Sequence, residues 1–290
     1  MTPCGASDYA SRVPATAVLS FDVDAESPVL AEGARHAANA GLMTHQAYGP
    51  RVGVPRILDL LAELGLPATF FVPGWTADRY PEAVERILAA GHEVGHHSYA
   101  HVSPLEQSAD EERHDFERAL AALEPLGIRA SGYRAPGWEP SWRTPALVAE
   151  HGLAYDSSLF DDDRPYVLET GAGDIVELPV SWWLDDWQQT AYIPPVARNQ
   201  TRAPADVAAL WCAEVDAAAR YGTLFMLTCH PFLSGRPGRL EIVRRVAEHA
   251  FERGDVEFVE AREAARRARD AAETPRRPLR PVELEPGLYD

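Results

Sequence analysis

The sequence contains no lysine, so all 27 of its fixed positive side chains are arginines. Aspartate and glutamate total 44, and the formal net charge at pH 7 is -17. A protein that binds a nucleic-acid duplex needs a basic surface to displace the counterions of the phosphates. The charge therefore argues against a nucleic-acid partner and, more weakly, against polyanionic substrates. Its simplest consequence is solubility.

Cysteine is also scarce, with only Cys4, Cys212 and Cys229 at scattered positions, which implies no disulfide framework. No apolar run is long enough to span a membrane. The N-terminal sequence MTPCGASDYASRVPATAVLSF has no charged start followed by a long apolar run. We therefore expect no signal peptide, no membrane partner and a cytoplasmic location.

Short strand-like runs alternate with helical patterns along the 290 residues. The run TAVLSFDVD (16–24) predicts a buried strand, and VPRILDLLAELG (54–65) predicts an amphipathic helix that ends at Gly65. Ser108 and Glu111 have the spacing of a capping box at the start of a further helix. Repeated strand–helix units predict a parallel sheet with helices outside, in one α/β domain over residues 1–290.

Polar side chains that could take part in catalysis or metal binding follow the predicted strands at their carboxyl ends. They are Asp22, Asp24, His97, His101, Arg134 and His230. A parallel barrel gathers its functional residues on that one rim. We therefore predict a barrel-like closure rather than an open doubly wound sheet, which would also need a glycine-rich phosphate loop that the sequence lacks.

Two segments lie outside this pattern. Residues 27–53 form a long connection that we predict to be a rim loop, either covering the site or inserted at the surface. Residues 274–290 are proline-rich and predict an extended C-terminal tail.

Asp22 and Asp24 are two residues apart, so on a strand both side chains point to the same side. Adjacent carboxylates repel unless a cation lies between them. Taken alone, the pair indicates either a divalent metal site or a solvated turn.

The stretch GHEVGHHSYAH (91–101) contains four histidines. His97 and His101 are four residues apart, which on a helical turn places both imidazoles on one face, as a metal pair requires. His92 and His96 are interpreted as structural. The alternative, that His97 and His101 are also ordinary core or surface groups, stays open on spacing alone.

The order of these motifs resembles the polysaccharide deacetylase (NodB-homology) family of metal-dependent deacetylases. The similarity covers about residues 16–260 and includes FDVD, ATFFVPGW, GHEVGHHSYAH, SGYRAPGW, YDSSL and CHP. It implies a distorted (β/α) barrel of about seven parallel strands.

The resemblance also implies roles for individual residues. Asp22 matches the catalytic base, and Asp24, His97 and His101 match the metal ligands. Here Val23 separates two aspartates that are adjacent in most members of the family. A divalent metal is therefore expected, with zinc the first choice and cobalt, nickel or manganese as alternatives.

Three more positions match motifs of the family. Arg134 matches the arginine that orients the base, the backbone N–H near Gly137 matches the oxyanion donor, and His230 matches the general acid. Asp185 or Asp186 could orient His230, although a solvated loop is the simpler interpretation of that pair.

Three tryptophans near these motifs are the remaining candidates. Trp138, Trp183 and Trp187 could line a substrate wall, and core positions are an equally good interpretation. Cys229 is expected to point away from the site.

These features predict a metal-dependent hydrolase of non-peptide C–N amide bonds that acts on a small N-acyl or cyclic amide. The first alternative is an N-deacetylase of amino sugars or peptidoglycan fragments, and the second is a non-catalytic carbohydrate-binding relative. The expected partners are a small-molecule or amino-sugar substrate and further copies of the chain in a homo-oligomer.

Overall fold

The computed structural model describes residues 14–194, 196–198 and 201–285. Cys4, most of the N-terminal stretch searched for a signal peptide, and residues 286–290 of the tail lie outside the described residues. In the part of the chain that is described, no helix is both long and apolar enough to cross a membrane.

The described residues form twelve strands, most of them short. They are β1 (Ala15–Asp22), β2 (Thr69–Val72), β3 (Glu93–His96), β4 (Gly132–Tyr133), β5 (Tyr155–Asp156), β6 (Tyr166–Glu169), β7 (Asp174–Glu177), β8 (Tyr192–Ile193), β9 (Ala197–Arg198), β10 (Phe225–Cys229), β11 (Val256–Phe258) and β12 (Arg276–Pro278).

Twelve α-helices accompany them. They are α1 (Ser27–Ala31), α2 (Ala40–Tyr48), α3 (Val54–Leu64), α4 (Gly74–Arg79), α5 (Pro81–Ala89), α6 (Ala109–Leu123), α7 (Thr144–Glu150), α8 (Asp186–Thr190), α9 (Pro204–Tyr221), α10 (Pro231–Ser234), α11 (Pro237–Arg253) and α12 (Ala261–Asp270). Short 3₁₀ segments lie at Ala34–Ala38, Pro104–Glu106, Glu124–Leu126, Pro136–Trp138 and Trp182–Leu184, and a π-helical turn at Gly49–Gly53.

The main sheet has the strand order β10-β1-β2-β3-β4-β5-β7-β6-β12, with β11 also paired to β1. Seven of these strands, from β10 to β7, are parallel to their neighbours. A parallel bridge between Asp185 and Thr228 connects the chain after β7 to β10 and closes the barrel. The predicted distorted α/β barrel of about seven parallel strands is therefore confirmed.

Strand β1 shows how the barrel acquires a polar interior at one end. Leu19 and Phe21 belong to the large core cluster that packs against the outer helices. Val18 points the other way, into a second cluster inside the barrel. Since strand side chains alternate, Ser20 and Asp22 share the face of Val18 and point inward. The inner face thus changes from apolar to acidic toward the carboxyl end of the strand.

Local helix signals in the sequence agree with the structure. Helix α3 ends at Gly65, whose φ of 65° is the left-handed conformation that glycine adopts most easily at a helix end. Ser108 and Glu111 form the predicted capping box at the start of α6.

The prediction of one long loop at residues 27–53 is wrong. This segment contains α1, the 3₁₀ segment Ala34–Ala38, α2 and the π-helical turn Gly49–Gly53, which runs directly into α3. Two glycines of this segment, Gly49 and Gly53, pack closely against the chain at Pro231 and Phe232. The Cα of Gly53 faces the carbonyl oxygen of Pro231 so closely that a Cβ would lie 2.1 Å from it.

The region after β5 also differs from a simple strand–helix repeat. The predicted strand at 175–183 is shorter, and β7 pairs with β5 in parallel and with β6 as an antiparallel hairpin. In the described part of the C-terminal tail, Arg276–Pro278 pair with β6 as the outermost strand.

Replacement of Gly132 tests the tight packing between β4 and β5. A Cβ at Gly132 would lie 2.1–2.3 Å from ring atoms of Tyr155, which is fully buried and whose hydroxyl donates to Glu93 Oε1 at 3.0 Å. We expect G132A to lower the free energy of unfolding by about 1–3 kcal/mol, as overpacking does. Urea unfolding measures this.

Gly238 in α11 is the matched control, because a Cβ added there would meet no atom of the described residues within 4 Å. G238A should unfold at the wild-type urea concentration or slightly above it. Equal unfolding midpoints for G132A and the wild-type chain would contradict the packing described for β4 and β5.

Candidate active site

The carboxyl ends of the barrel strands surround a cavity of about 260 Å³. Eight of the nine residues predicted for the site line it, namely Asp22, Asp24, His97, His101, Gly137, Trp138, Trp187 and His230. The ninth, Arg134, is fully buried behind Asp22. The structure therefore brings these nine residues together.

Asp24 is the central group of this cavity. It is only 1% exposed, and neither carboxylate oxygen receives a hydrogen bond from any described residue. His97 Nε2 lies 3.4 Å from Oδ1, and His101 Nε2 lies 3.6 Å from Oδ2. Burial alone would raise the pKa of Asp24, but the facing imidazoles, His101 first, hold it below its usual range. The Asp24 carboxylate is thus ionised, and no hydrogen-bond donor of the described residues satisfies its oxygens.

The two histidines reach Asp24 from an irregular loop and not from a helical turn, so that part of the prediction is wrong. Ser98 and His101 have φ values of 63° and 58°, which reverse the chain after β3. Asp115 in α6 holds this loop by accepting hydrogen bonds from the backbone N–H groups of Tyr99 at 2.8 Å and Ala100 at 3.0 Å. Sequence reasoning missed Asp115, because its partners are distant backbone atoms.

The hydrogen bonds of His97 decide which ring nitrogen faces the cavity. Its Nδ1 lies 2.7 Å from the carbonyl oxygen of Arg134, which can only accept, so Nδ1 carries the proton. Nε2 is therefore the ring nitrogen that faces Asp24 and that would ligate a metal, with Nδ1–H held by a carbonyl oxygen as in known histidine metal sites. Burial lowers the pKa of His101 to about 4. Burial acts in the same direction on His97, but Asp22 and Asp24 outweigh it and raise the pKa of that ring.

The other two histidines of the stretch face elsewhere, as predicted. His96 is fully buried, stacks on Phe116 and contacts the Phe116 carbonyl oxygen through Nε2. Burial lowers its pKa to about 3. His92 packs near Phe70.

This donor set suits a divalent metal ion. One carboxylate and two imidazoles can offer ligand atoms that lie within 4.8 Å of one another. Three protein ligands leave positions for water and substrate, as in catalytic zinc sites. The unsatisfied oxygens of Asp24 are the observation that fits a cation best, because a buried carboxylate without donors is costly.

Asp22 is held next to this group by Arg134. Arg134 Nη1 donates to Asp22 Oδ1 at 2.8 Å and to Ser20 Oγ at 2.9 Å. The guanidinium lies over the ring of Phe71, 4.1 Å from its centroid. These charge-assisted bonds fix the Asp22 carboxylate, whose Oδ2 lies 3.9 Å from His97 Nε2.

His230 enters the cavity from the end of β10 and is held by Asp186. Its Nδ1 lies 2.7 Å from Asp186 Oδ1, and its backbone N–H also donates to that carboxylate. The interpretation of Asp185 and Asp186 as a solvated loop is wrong, because they are 4% and 1% exposed. Burial alone would lower the pKa of His230, but the surrounding carboxylates, Asp186 first, raise it to about 10.

One cavity wall is aromatic. Trp138 and Trp187 line it as predicted, but Trp183 is 64% exposed and lies outside it. Trp182, which was not predicted, takes that place and packs against Trp138 with ring centroids 4.8 Å apart. Next to them, Gly137 adopts a φ of 61°, which allows its backbone to line the cavity.

Comparisons with known proteins point to one family. A family model described as polysaccharide deacetylase matches residues 47–155. A peptidoglycan deacetylase from Helicobacter pylori is 31% identical over 244 residues, which cover 74% of this chain and 83% of the relative. A crystal structure of a candidate polysaccharide deacetylase from Mycobacterium smegmatis is 45% identical, covers 97% of this chain and 99% of its own, and has a TM-score of 0.90. The Puue allantoinase structure, 23% identical over 94% of this chain and 99% of its own with a TM-score of 0.77, shows similarity of fold alone.

Removal of the Asp186 charge tests the electrostatics of His230. In metal-free protein, D186N should lower the pKa of His230, because the carboxylate that stabilises the imidazolium is lost. Nitrogen–proton correlation spectra of the histidine rings, recorded against pH, measure it. D216N is the control, because Asp216 contacts His249 at the surface, 2.8 Å away. An unchanged pKa of His230 in D186N would contradict the assigned pairing.

Proposed function

The chain belongs to the polysaccharide deacetylase family, and on that premise we propose that it is a metal-dependent hydrolase of carbon–nitrogen amide bonds other than peptide bonds. The observation that carries the proposal is Asp24, a buried carboxylate with two unsatisfied oxygens that face His97 and His101. Asp22 and His230 line the same cavity, so a base and an acid accompany the metal ligands.

Asp24, His97 and His101 are the residues that would hold the metal, with zinc as the first choice. A divalent ion held there would polarise a carbonyl group and would lower the pKa of bound water, from 15.7 to about 7 in the best-known zinc sites.

The side chains of the cavity supply the proton transfers. Asp22, oriented by Arg134, accepts a proton from the water that adds to the carbonyl carbon. The backbone N–H of Gly137 donates to the oxygen as negative charge develops there. His230, cationic at neutral pH, donates a proton to the nitrogen as the C–N bond breaks. An N-acyl amine gives a carboxylic acid and an amine, whereas a cyclic imide or hydantoin gives one ring-opened product that carries a carboxylic acid and an amide or urea nitrogen.

A small N-acyl or cyclic amide is the substrate class that we favour. The cavity of about 260 Å³ lies just below the usual range of ligand pockets, about 300–1,000 Å³. Pro28 and Glu32, from the helical segment after β1, form part of its lining. Both features favour a compact ligand.

Deacetylation of amino sugars is the second candidate. It is supported by the relative from Helicobacter pylori, which is described as a peptidoglycan deacetylase. The exposed Trp182 next to Trp138 also offers an aromatic surface of the kind that sugars stack on. A non-catalytic carbohydrate-binding role is less well supported, because a binding protein has no need of ligands, base and acid together.

The cytoplasmic location and the homo-oligomeric state remain predictions. Fractionation of cells that express the full chain tests the first, and analytical ultracentrifugation of the purified protein tests the second.

A substrate screen with H230A tests the proposed chemistry. We expect the zinc-loaded chain to open hydantoins or cyclic imides and H230A to lose about 10²–10⁴-fold in kcat, the usual contribution of a general acid. H230A should still bind zinc, measured by elemental analysis, since His230 is assigned no ligand role.

The other outcomes of this screen are informative. Release of acetate from N-acetylglucosamine oligomers, with no ring opening, would establish the amino-sugar substrate instead. Loss of zinc from H230A would show that the role assigned to His230 is wrong. No turnover of either class by zinc-, cobalt-, nickel- or manganese-loaded protein would count against the enzymatic proposal.

A further inference from the structure

Two buried acidic side chains lie side by side outside the cavity. Asp156 and Glu177 are direct partners in the register of the parallel strands β5 and β7, and both are fully buried. Asp156 is also the register partner of Tyr133, the residue before Arg134. Neither carboxyl group forms an ion pair with a described residue. The titratable and charged groups that influence the pair are Arg134, Tyr133 and Tyr166.

Donor groups occupy one oxygen of each carboxyl group. Asp156 Oδ1 accepts from Ser157 N at 2.9 Å and from Ser158 Oγ at 2.6 Å. Glu177 Oε1 accepts from Ser158 N at 3.0 Å and from Leu159 N at 2.9 Å. The second oxygens, Asp156 Oδ2 and Glu177 Oε2, receive no hydrogen bond from described residues.

Two adjacent carboxylates in a desolvated site do not both ionise. Burial first, and then the charge of Asp156, raise the pKa of Glu177 well above its usual range. Burial likewise raises the pKa of Asp156 to about 6. Asp156 Oδ1 and Glu177 Oε1 already accept two hydrogen bonds each. A retained proton is therefore expected between Asp156 Oδ2 and Glu177 Oε2.

The turn that this pair holds is bonded to the strand end that carries Arg134. The carbonyl oxygen of Ser157 accepts from Arg134 Nε at 3.3 Å, and Ser157 Oγ accepts from Nη2 at 3.1 Å. Ser158 Oγ accepts from Ala135 N at 2.9 Å and must therefore donate its own proton to Asp156. The direction of this hydrogen-bond chain is fixed from Ala135 to the acid pair.

We propose that Asp156 and Glu177 share one proton and are positioning residues for Arg134, which in turn orients the Asp22 carboxylate. The pair carries a single negative charge and anchors the turn at Ser157 and Ser158. The positioning of a catalytic base rests on the proposed hydrolase function, whereas the shared proton does not depend on it.

Infrared spectroscopy of metal-free protein at neutral pH tests the shared proton. Asp185 and Glu93 are also buried carboxyl groups with raised pKa values, so the test compares difference spectra. The wild-type spectrum minus that of D156N or of E177Q should show one band of a buried protonated carboxyl group. E112Q is the matched control, because Glu112 is a buried carboxylate that accepts hydrogen bonds from Ser141 and Arg143 instead of facing a second acid. E112Q should retain the band.

The amide variants also separate positioning from simple structural support. In E177Q the amide N–H₂ replaces the shared proton, while the amide oxygen still accepts from Ser158 and Leu159. Hydrogen exchange at the Arg134 Nε–H should therefore stay slow, and so it should in D156N. In the double variant D156N/E177Q two N–H₂ groups face each other, and exchange at Arg134 should become fast.

Turnover of hydantoin and of N-acetylglucosamine oligomers gives the second readout. Each single variant should keep kcat close to the wild-type value. The double variant should lose about 100-fold in kcat with little change in KM, because a small misplacement of a catalytic group acts on the reaction step.

The outcomes are distinguishable from failure of the proposed function. Difference spectra that show no carboxyl band for either D156N or E177Q would overturn the shared proton. Slow exchange at Arg134 in the double variant would overturn the positioning role. A wild-type chain that hydrolyses neither amide, but shows the expected band and exchange, would contradict the proposed function alone.

Discussion

The carboxyl end of the barrel is organised around one electrostatic constraint, the buried Asp24 carboxylate that receives no hydrogen bond from the described residues. Such a group is costly to bury unless positive charge or donors compensate it. Three imidazole nitrogens, from His97, His101 and His230, lie 3.4–3.6 Å from its oxygens. Each is held by a different part of the chain, so the fold as a whole determines the site.

Arg134 connects the candidate metal site to the candidate base. Its carbonyl oxygen fixes the tautomer of His97, and its guanidinium fixes the carboxylate of Asp22. The same side chain is bonded to Ser157, and the neighbouring Ala135 is bonded to Ser158. A change in the position of β4 would therefore disturb the ligand set and the base together.

Much of this arrangement could be predicted from the sequence, because it depends on local or periodic signals. Alternation along β1 predicts that Asp22 and Asp24 point to one side, and the capping box predicts the start of α6. The geometry of the His97–His101 loop could not be predicted, since it depends on Asp115 in a distant helix. The burial of Asp185 and Asp186 was missed for a similar reason. A single bridge to Thr228 closes the barrel at that point, and no local pattern encodes it.

The central claim is that Asp24, His97 and His101 form one metal site, and zinc-dependent stability tests it most directly. A ligand that binds only the folded state raises stability by about 2.7 kcal/mol at 100 times its Kd. Zinc should therefore raise the unfolding temperature of the metal-free wild-type chain and of H92A, in which the site is intact. It should leave D24N and H97A unchanged. A zinc-induced shift in D24N equal to that of the wild-type chain would contradict the account.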